Sequence, residues 1–328
     1  MAIIAIQIAR PFDDDFEAGD QFNQPRRLGA PVLAMLVSRK EITRKDGKPM
    51  DLAYWGFSHW PFQRQHLAKT CSVGESQDEA LARLLFLVEE CRHCGLLTGA
   101  SGTGKTCLLR LIASRARRTG RLCLEIDATG IDASEFAAQI AEQDSVNFDD
   151  SLTSAKCWSG IQQQLASHAV VNQPIVALID NMDSAQPGSS QAIRRLMNLA
   201  EATGAKLTVL MTTQLPFPTS ELRNDIDLSV ELSGWSVDET ARFIRHSINS
   251  AGVRSNLFSS DAVSALHELT RGIPRDVIRV CDLSLLAAMS HDRREVDAAI
   301  VIAATDELSD RRPSTESNWQ AQPLMRSL

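Results

Sequence analysis

An α/β fold built on a parallel sheet, followed by a small domain of helices alone, is what the sequence predicts, and three observations predict it. Short apolar runs alternate with stretches of helical periodicity between residues 78 and 232. A glycine-rich segment, Gly99-Ala-Ser-Gly-Thr-Gly-Lys-Thr106, falls between one such run and the helix that follows it. Beyond Ser233-Gly234 only helical periodicity remains. Strands separated by helices imply βαβ units around a parallel sheet.

Each element follows from its pattern. Leu81, Leu84, Leu85 and Val88 lie at helical spacing and predict a helix from Asp78 to about Cys91. Gly95–Thr98 is a short apolar strand, Thr106–Thr119 a helix, Arg121–Ile126 a strand, and Ala133–Ala141 and Ser154–His168 two helices. The uninterrupted apolar run Ile175–Ile179 reads as a strand buried on both faces. Gln191–Thr203 is helical and Lys206–Met211 is again a strand. In the C-terminal part, Val237–Ala251 opens with Ser236 and Glu239 in a capping-box pattern and stops at Gly252. Ser259–Thr270 stops at Gly272, Pro274–Met289 starts with proline in the first turn, and Glu295–Leu308 is a fourth helix. The expected organisation is a flexible leader over 1–50, an α/β core over 51–232, a helical lid over 233–308 and a disordered tail over 309–328.

Composition narrows the class. With 328 residues, 44% apolar and 23% charged, the chain reads as globular rather than disordered or fibrous. A formal charge of -7 argues against a protein that coats nucleic acid with its whole surface. Arg115, Arg117, Arg118 and Arg121 form a local basic cluster, which a solvated helix end explains equally well. No apolar run reaches the ~18–20 residues of a membrane-spanning helix, and the N-terminus lacks the basic residues of a signal peptide. Seven scattered cysteines suit reduced thiols in the cytoplasm. Cys91 and Cys94 form a CxxC without a second pair of ligands, so they read as ordinary thiols.

The chemistry concentrates in Gly99–Thr106. Glycines at 99, 102 and 104 let the backbone wrap a phosphate, and the helix N-terminus behind them favours negative charge. The cradle comprises Gly99, Ala100, Ser101, Gly102, Thr103, Gly104, Lys105, Thr106 and Cys107. Lys105 would reach the β- and γ-phosphates of ATP, and the Thr106 hydroxyl would ligate Mg²⁺. Asp180, at the end of Ile175–Asp180, is the second expected Mg²⁺ ligand. Where many ATPases carry glutamate next, this chain has Asn181, an amide that cannot take a proton. Asp183 is the nearest further carboxylate and either acts through a turn or caps Ser184–Pro187. Thr212, Thr213 or Gln214, at the end of the following strand, could position a water molecule, or be ordinary strand chemistry.

Taken together, Tyr54-Trp-Gly-Phe-Ser-His-Trp-Pro-Phe62, the helix from Asp78, the loop Leu97–Arg110, Gly272-Ile-Pro-Arg275 and Cys281–Leu286 resemble the AAA+ P-loop ATPases of the general secretion pathway protein A (ExeA-like) family. Transposition ATPases of the TniB type share most of this layout. The resemblance covers roughly residues 51–305 and implies a nucleotide site between core and lid. It implies that Arg275 is the sensor-2 arginine, and that Arg223 in Glu221-Leu-Arg-Asn-Asp225 acts as a finger on a neighbouring subunit of a homo-oligomer. Asp225 stands where the family has a second arginine, and Asn181 where it has glutamate. The aromatic segment around Trp55, Phe57, Pro61 and Phe62 either packs on the core near the adenine or is a plain anchor. Family members begin near this segment, and Met50 stands four residues before Tyr54, which suggests translation from Met50. The implied function is ATP hydrolysis that drives conformational or assembly changes on a protein partner. A DNA-associated regulator of the TniB type and a nucleotide switch with little hydrolysis are the alternatives, so DNA stays open as a partner.

Overall fold

The computed structural model describes residues 50–63, 74–144, 153–214 and 222–309. The expected leader, Met50 apart, and the expected tail, Ser309 apart, lie outside the described residues. Five parallel strands form one sheet in the order β2-β3-β4-β1-β5: β1 (Cys94–Gly99), β2 (Leu122–Asp127), β3 (Ile175–Asp180), β4 (Leu207–Thr213) and β5 (Leu228–Leu232). The first helices are α1 (Met50–Trp55), α2 (Glu75–Glu89), α3 (Lys105–Arg118), α4 (Ala133–Gln143), α5 (Ser154–Val170) and α6 (Ser189–Thr203). After β5 come α7 (Val237–Ser250), α8 (Ser260–Thr270), α9 (Pro274–Ser290) and α10 (Ala298–Ser309).

The apolar strands face two cores because successive side chains point to opposite sides of a sheet. In β3, Ile175, Ala177 and Ile179 pack with Phe136, Ile140, Trp158, Ile161 and Ile193 from α4, α5 and α6. Val176 and Leu178 pack on the other face with Leu84 and Leu87 of α2 and Leu108 and Ile112 of α3. A strand sandwiched in this way has no polar face, which is why its sequence shows no alternation. β5, which was not among the expected strands, is the exception. It pairs with β1 alone and alternates, with Val230 and Leu232 buried and Ser229 and Glu231 exposed.

A third core joins the C-terminal helices to the aromatic segment. Trp55, Phe57, Trp60 and Phe62 are buried among Trp235, Phe243, Ile244, Val277 and Leu285. The Phe62 ring lies 6.1 Å from that of Phe243, and the Tyr54 hydroxyl donates to the Arg293 carbonyl at 3.0 Å. The segment is thus an anchor for the C-terminal helices and does not pack on the sheet core. Burying each such ring contributes about 2 kcal/mol, so the segment is a substantial part of that core.

Two features fix the helical part where it begins. Glu239 closes the capping box of α7, accepting from the Ser236 N–H at 2.7 Å, and its other oxygen accepts the Glu75 N–H at the start of α2. Gly272 has φ +66°, and its carbonyl accepts the Trp235 N–H at 2.8 Å. A Cβ on Gly272 would sit 2.0 Å from the Trp235 carbonyl oxygen.

The cysteines divide. Cys91, Cys94, Cys123, Cys157 and Cys281 are free thiols, whereas Cys107 is disulfide-bonded, which corrects for that residue the expectation of reduced thiols. Burial, with Asp227 and Asp225 nearby, pushes the Cys94 thiol up to about 12, while Cys91 lies half-buried at the end of α2.

Two outcomes follow from this packing. Gly272→Ala meets both the left-handed backbone and a backbone clash, and is expected to cost about 2–4 kcal/mol in urea unfolding. Gly120→Ala, at φ +78° with nothing within 4 Å, is expected to cost only about 1 kcal/mol. Equal midpoints for the two variants would remove the steric account of Gly272. In native protein at neutral pH, iodoacetamide is expected to label Cys91 and to leave Cys94 unlabelled until the chain is unfolded, read by peptide mass.

Candidate nucleotide site

Because every strand runs the same way, the C-terminal ends of β1, β2, β3 and β4 meet at one edge of the sheet, where open α/β folds place their ligands. Gly99–Gly104 leads from β1 into α3, with φ +150° at Gly99, +92° at Gly102 and +104° at Gly104. The N-cap of α3 is Gly104 and offers no side-chain hydrogen bond, so the first-turn N–H groups have no cap and face the loop. Lys105 is buried with 9% exposure, and its ammonium donates to the carbonyls of Gly99 at 2.7 Å and Ala100 at 3.0 Å. Burial pulls its pKa down, Asp183 and Asp180 push it back up, and Arg275 lowers it further.

The Thr106 hydroxyl donates to Asp180 Oδ2 at 2.6 Å. The other oxygen of Asp180 accepts from the Thr212 hydroxyl, and from the Asn181 N–H at 3.1 Å. Of the polar residues ending β4, it is therefore Thr212 that touches Asp180. The Thr213 hydroxyl is buried and donates to the Gln214 carbonyl at 3.1 Å. Gln214 holds Asp183, donating its backbone N–H at 3.0 Å and its side-chain amide at 3.2 Å. Asn181 sits at φ 59°, ψ 42°, and its Nδ2 donates to Asp127 Oδ1 at 3.0 Å.

From the C-terminal helices, Arg275 at the start of α9 donates through Nη1 to Ser101 Oγ at 2.9 Å, and its backbone N–H donates to the Gly102 carbonyl at 3.3 Å. This approach needs Gly102, since a Cβ there would lie 2.9 Å from Arg275 Cβ and 3.0 Å from Ile273 Cγ2. Arg223 is exposed in a short 3-10 turn and makes no contact with the other candidate residues. Asp225 beside it accepts from Arg194 of α6 at 2.8 and 3.0 Å.

The residues that would hold Mg²⁺ fit that ion. One carboxylate and one hydroxyl lie side by side at the loop, which suits a cation that keeps several waters and takes its remaining ligands from phosphate oxygens. Asp127 was not among the expected site residues. The signal for it was its place at the end of β2, in register with Asp180.

A family described as "AAA domain" matches residues 88–217. General secretion pathway protein A of Aeromonas hydrophila is 24% identical over 275 residues, which is 82% of this chain and 50% of that protein. The chain thus spans about half the length of this relative. Among solved structures, Drosophila ORC bound to DNA is similar with a TM-score of 0.60 at 16% identity, covering 82% of this chain and 68% of that one. ORC2 of Aeropyrum pernix, in ADPNP–ADP complexes, gives 0.57 at 13% identity over 76% and 72%. Cdc6p of Pyrobaculum aerophilum gives 0.54 at 17% over 75% and 68%. At these identities the structures show a shared fold. Sheet, loop and likeness agree: the chain has the fold of AAA+ P-loop proteins, matches the AAA domain over residues 88–217, and resembles general secretion pathway protein A.

Proposed function

We propose that the chain binds ATP with Mg²⁺ where the strand ends meet the lid, hydrolyses it, and uses the cycle to change its assembly or its contacts with a protein partner in the cytoplasm. The observation that carries this reading is the double contact of Arg275 with the loop at Ser101 and Gly102. Through it, whatever occupies the loop is sensed directly by the first turn of α9. Mg²⁺ held by Thr106 and Asp180 would supply neutralisation of the phosphate charge. The chain's own groups do the rest. Lys105 exchanges its two loop carbonyls for phosphate oxygens, the N-terminus of α3 donates backbone N–H groups, and the fixed fork of Arg275 supplies further donors from the lid. Arg223, exposed and uncommitted to the other site residues, suits a finger that acts on a neighbouring copy.

A DNA-associated regulator is the second reading, favoured by the likeness to ORC bound to DNA. The basic cluster lends it limited support, because Arg117 pairs with Glu125 and Arg121 donates to Thr119 and to the Glu89 carbonyl.

The test is ATP binding and phosphate release by the full chain, with and without duplex DNA. Lys105→Ala is expected to weaken ATP binding about 10- to 100-fold, the worth of one charge-assisted hydrogen bond. Failure of the wild-type chain to bind ATP would sink the proposal. DNA binding that falls steeply with salt, together with turnover raised by DNA, would favour the second reading. Gly102→Ala, at φ +92°, is expected to cost at least the ~1 kcal/mol of Gly120→Ala in urea unfolding and, beyond that, to weaken ATP affinity, because the added methyl pushes Arg275 away from the loop. An affinity equal to wild type would show that the lid contact contributes nothing to binding.

A further inference from the structure

Asn181 stands where a water-activating glutamate was expected, yet its amide is engaged. Nδ2 donates to Asp127 Oδ1 at 3.0 Å, across the β2–β3 pair that places Asp127 opposite Asp180. The backbone N–H of Asn181 is held as well, by Asp180 Oδ1 at 3.1 Å and Thr212 Oγ1 at 3.0 Å. The residue is therefore fixed at both its main chain and its side chain. Asp127 is fixed in turn, accepting the Thr129 N–H at 3.1 Å and the Thr129 hydroxyl at 2.6 Å on the same oxygen.

This arrangement decides which way the amide faces. An ionised carboxylate can only accept, so the NH₂ group must turn to Asp127 and the carbonyl oxygen must turn away from it. Asn181 Oδ1 has no hydrogen-bond partner among the described residues. The other polar groups at the strand ends are occupied. Asp183 accepts two bonds from Gln214, and Asp180 accepts from Thr106, Thr212 and Asn181. A purely structural latch between β2 and β3 is unnecessary, since those strands already pair over six residues from Leu122 to Asp127.

We propose that Asn181 orients the attacking water through Oδ1, and that Asp127 is the positioning residue that holds the amide in its water-accepting orientation. This rests on the hydrolytic reading above. An amide that orients water without taking its proton is an established way to assist phosphoryl transfer. The water oxygen bonds the γ-phosphorus while the bond to the bridging oxygen breaks. ADP leaves with that electron pair, and the water's protons end on the released phosphate and the solvent.

The experiment compares the full chain with Asp127→Asn, Thr129→Val, Asn181→Asp and the exchange Asp127→Asn/Asn181→Asp. Single-turnover hydrolysis, ATP affinity, and affinity for ADP with aluminium fluoride, which mimics the phosphoryl group in transfer, are measured on each. Asp127→Asn replaces the acceptor that sets the amide. It is expected to slow the chemical step about 10- to 100-fold and to lower the affinity for the mimic in parallel, with ATP affinity within about threefold of wild type. Thr129→Val removes one of the bonds that fix Asp127 and is expected to produce a smaller loss in the same direction. Asn181→Asp sets two carboxylates against each other and is expected to lose rate, whereas the exchange restores a carboxylate–amide pair and recovers at least tenfold of that loss. Should Asp127→Asn fail to fold, Thr129→Val decides the matter by the same two readouts.

Wild-type rate and mimic affinity in Asp127→Asn would overturn the inference alone, as would an exchange variant no faster than Asn181→Asp. Loss of ATP affinity in step with rate would make Asp127 a structural latch and overturn it likewise. A wild-type chain that binds ATP and releases no phosphate would overturn the hydrolytic reading itself.

Discussion

The approach of α9 to the glycine-rich loop is the contact on which the rest of the candidate site depends, and it is a matter of clearance. The Arg275 backbone donates to the Gly102 carbonyl, and a single methyl at Gly102 would meet both Arg275 and Ile273 inside normal contact distance. The same constraint recurs one step back in the chain, where Gly272 lies against the backbone of Trp235. Two glycines thus let the helical part seat on the loop at one end and on the strand β5 exit at the other. Interiors packed at crystal-like density do not absorb an extra methyl smoothly, so such a contact is held or broken rather than graded. That property is what a nucleotide-driven change needs.

Charge at the site is balanced in the same local way. Lys105 is buried, which disfavours its ammonium, and Arg275 adds to that; Asp183 and Asp180 work against both. Its two loop carbonyls satisfy the ammonium without cancelling its charge. A phosphate arriving there adds negative charge beside a cation whose pKa is held below its ordinary value. By linkage the pKa rises on binding, so affinity is greatest where Lys105 is fully protonated and falls as pH rises through its depressed pKa. The loop is therefore not merely an electropositive hole. Its cation is held ready by groups that give it up readily.

How much of this was legible in the sequence differs by the kind of constraint. Where a local rule acts alone, as in the capping box of Ser236 and Glu239 or Pro274 at the start of α9, the elements fall within a few residues of their expected ends. The loop itself was legible because its glycines and Lys105-Thr106 carry their own geometry. β5 was missed although Leu228, Val230 and Leu232 alternate with polar residues, since an edge strand of five residues carries little apolar weight beside its neighbours. The aromatic segment shows a different limit. Four buried rings announce a core but not which core, and only tertiary packing assigns them to the C-terminal helices rather than to the sheet. Thr212 and Thr213 show the same limit on the scale of one residue: both are buried at a strand end, and the phase of the pleat decides that Thr212 meets Asp180.

The departure at position 181 follows from the backbone it occupies. At φ 59° the chain is in the left-handed region, which asparagine visits readily and longer side chains visit at a cost of roughly 1–2 kcal/mol. The turn is held there by Asp180, Thr212 and the Ser184 N–H, which donates to the Asn181 carbonyl at 2.9 Å. Those contacts also present Asp180 to Thr106, so the geometry that sets these two side by side favours asparagine in the next position. Asp127 supplies a carboxylate one strand away, at equal height in the register, so one carboxylate and one amide lie side by side at the strand ends. Asparagine at 181 thus meets two demands at once, the left-handed backbone and a donor for Asp127, and a second carboxylate there would meet neither without repulsion.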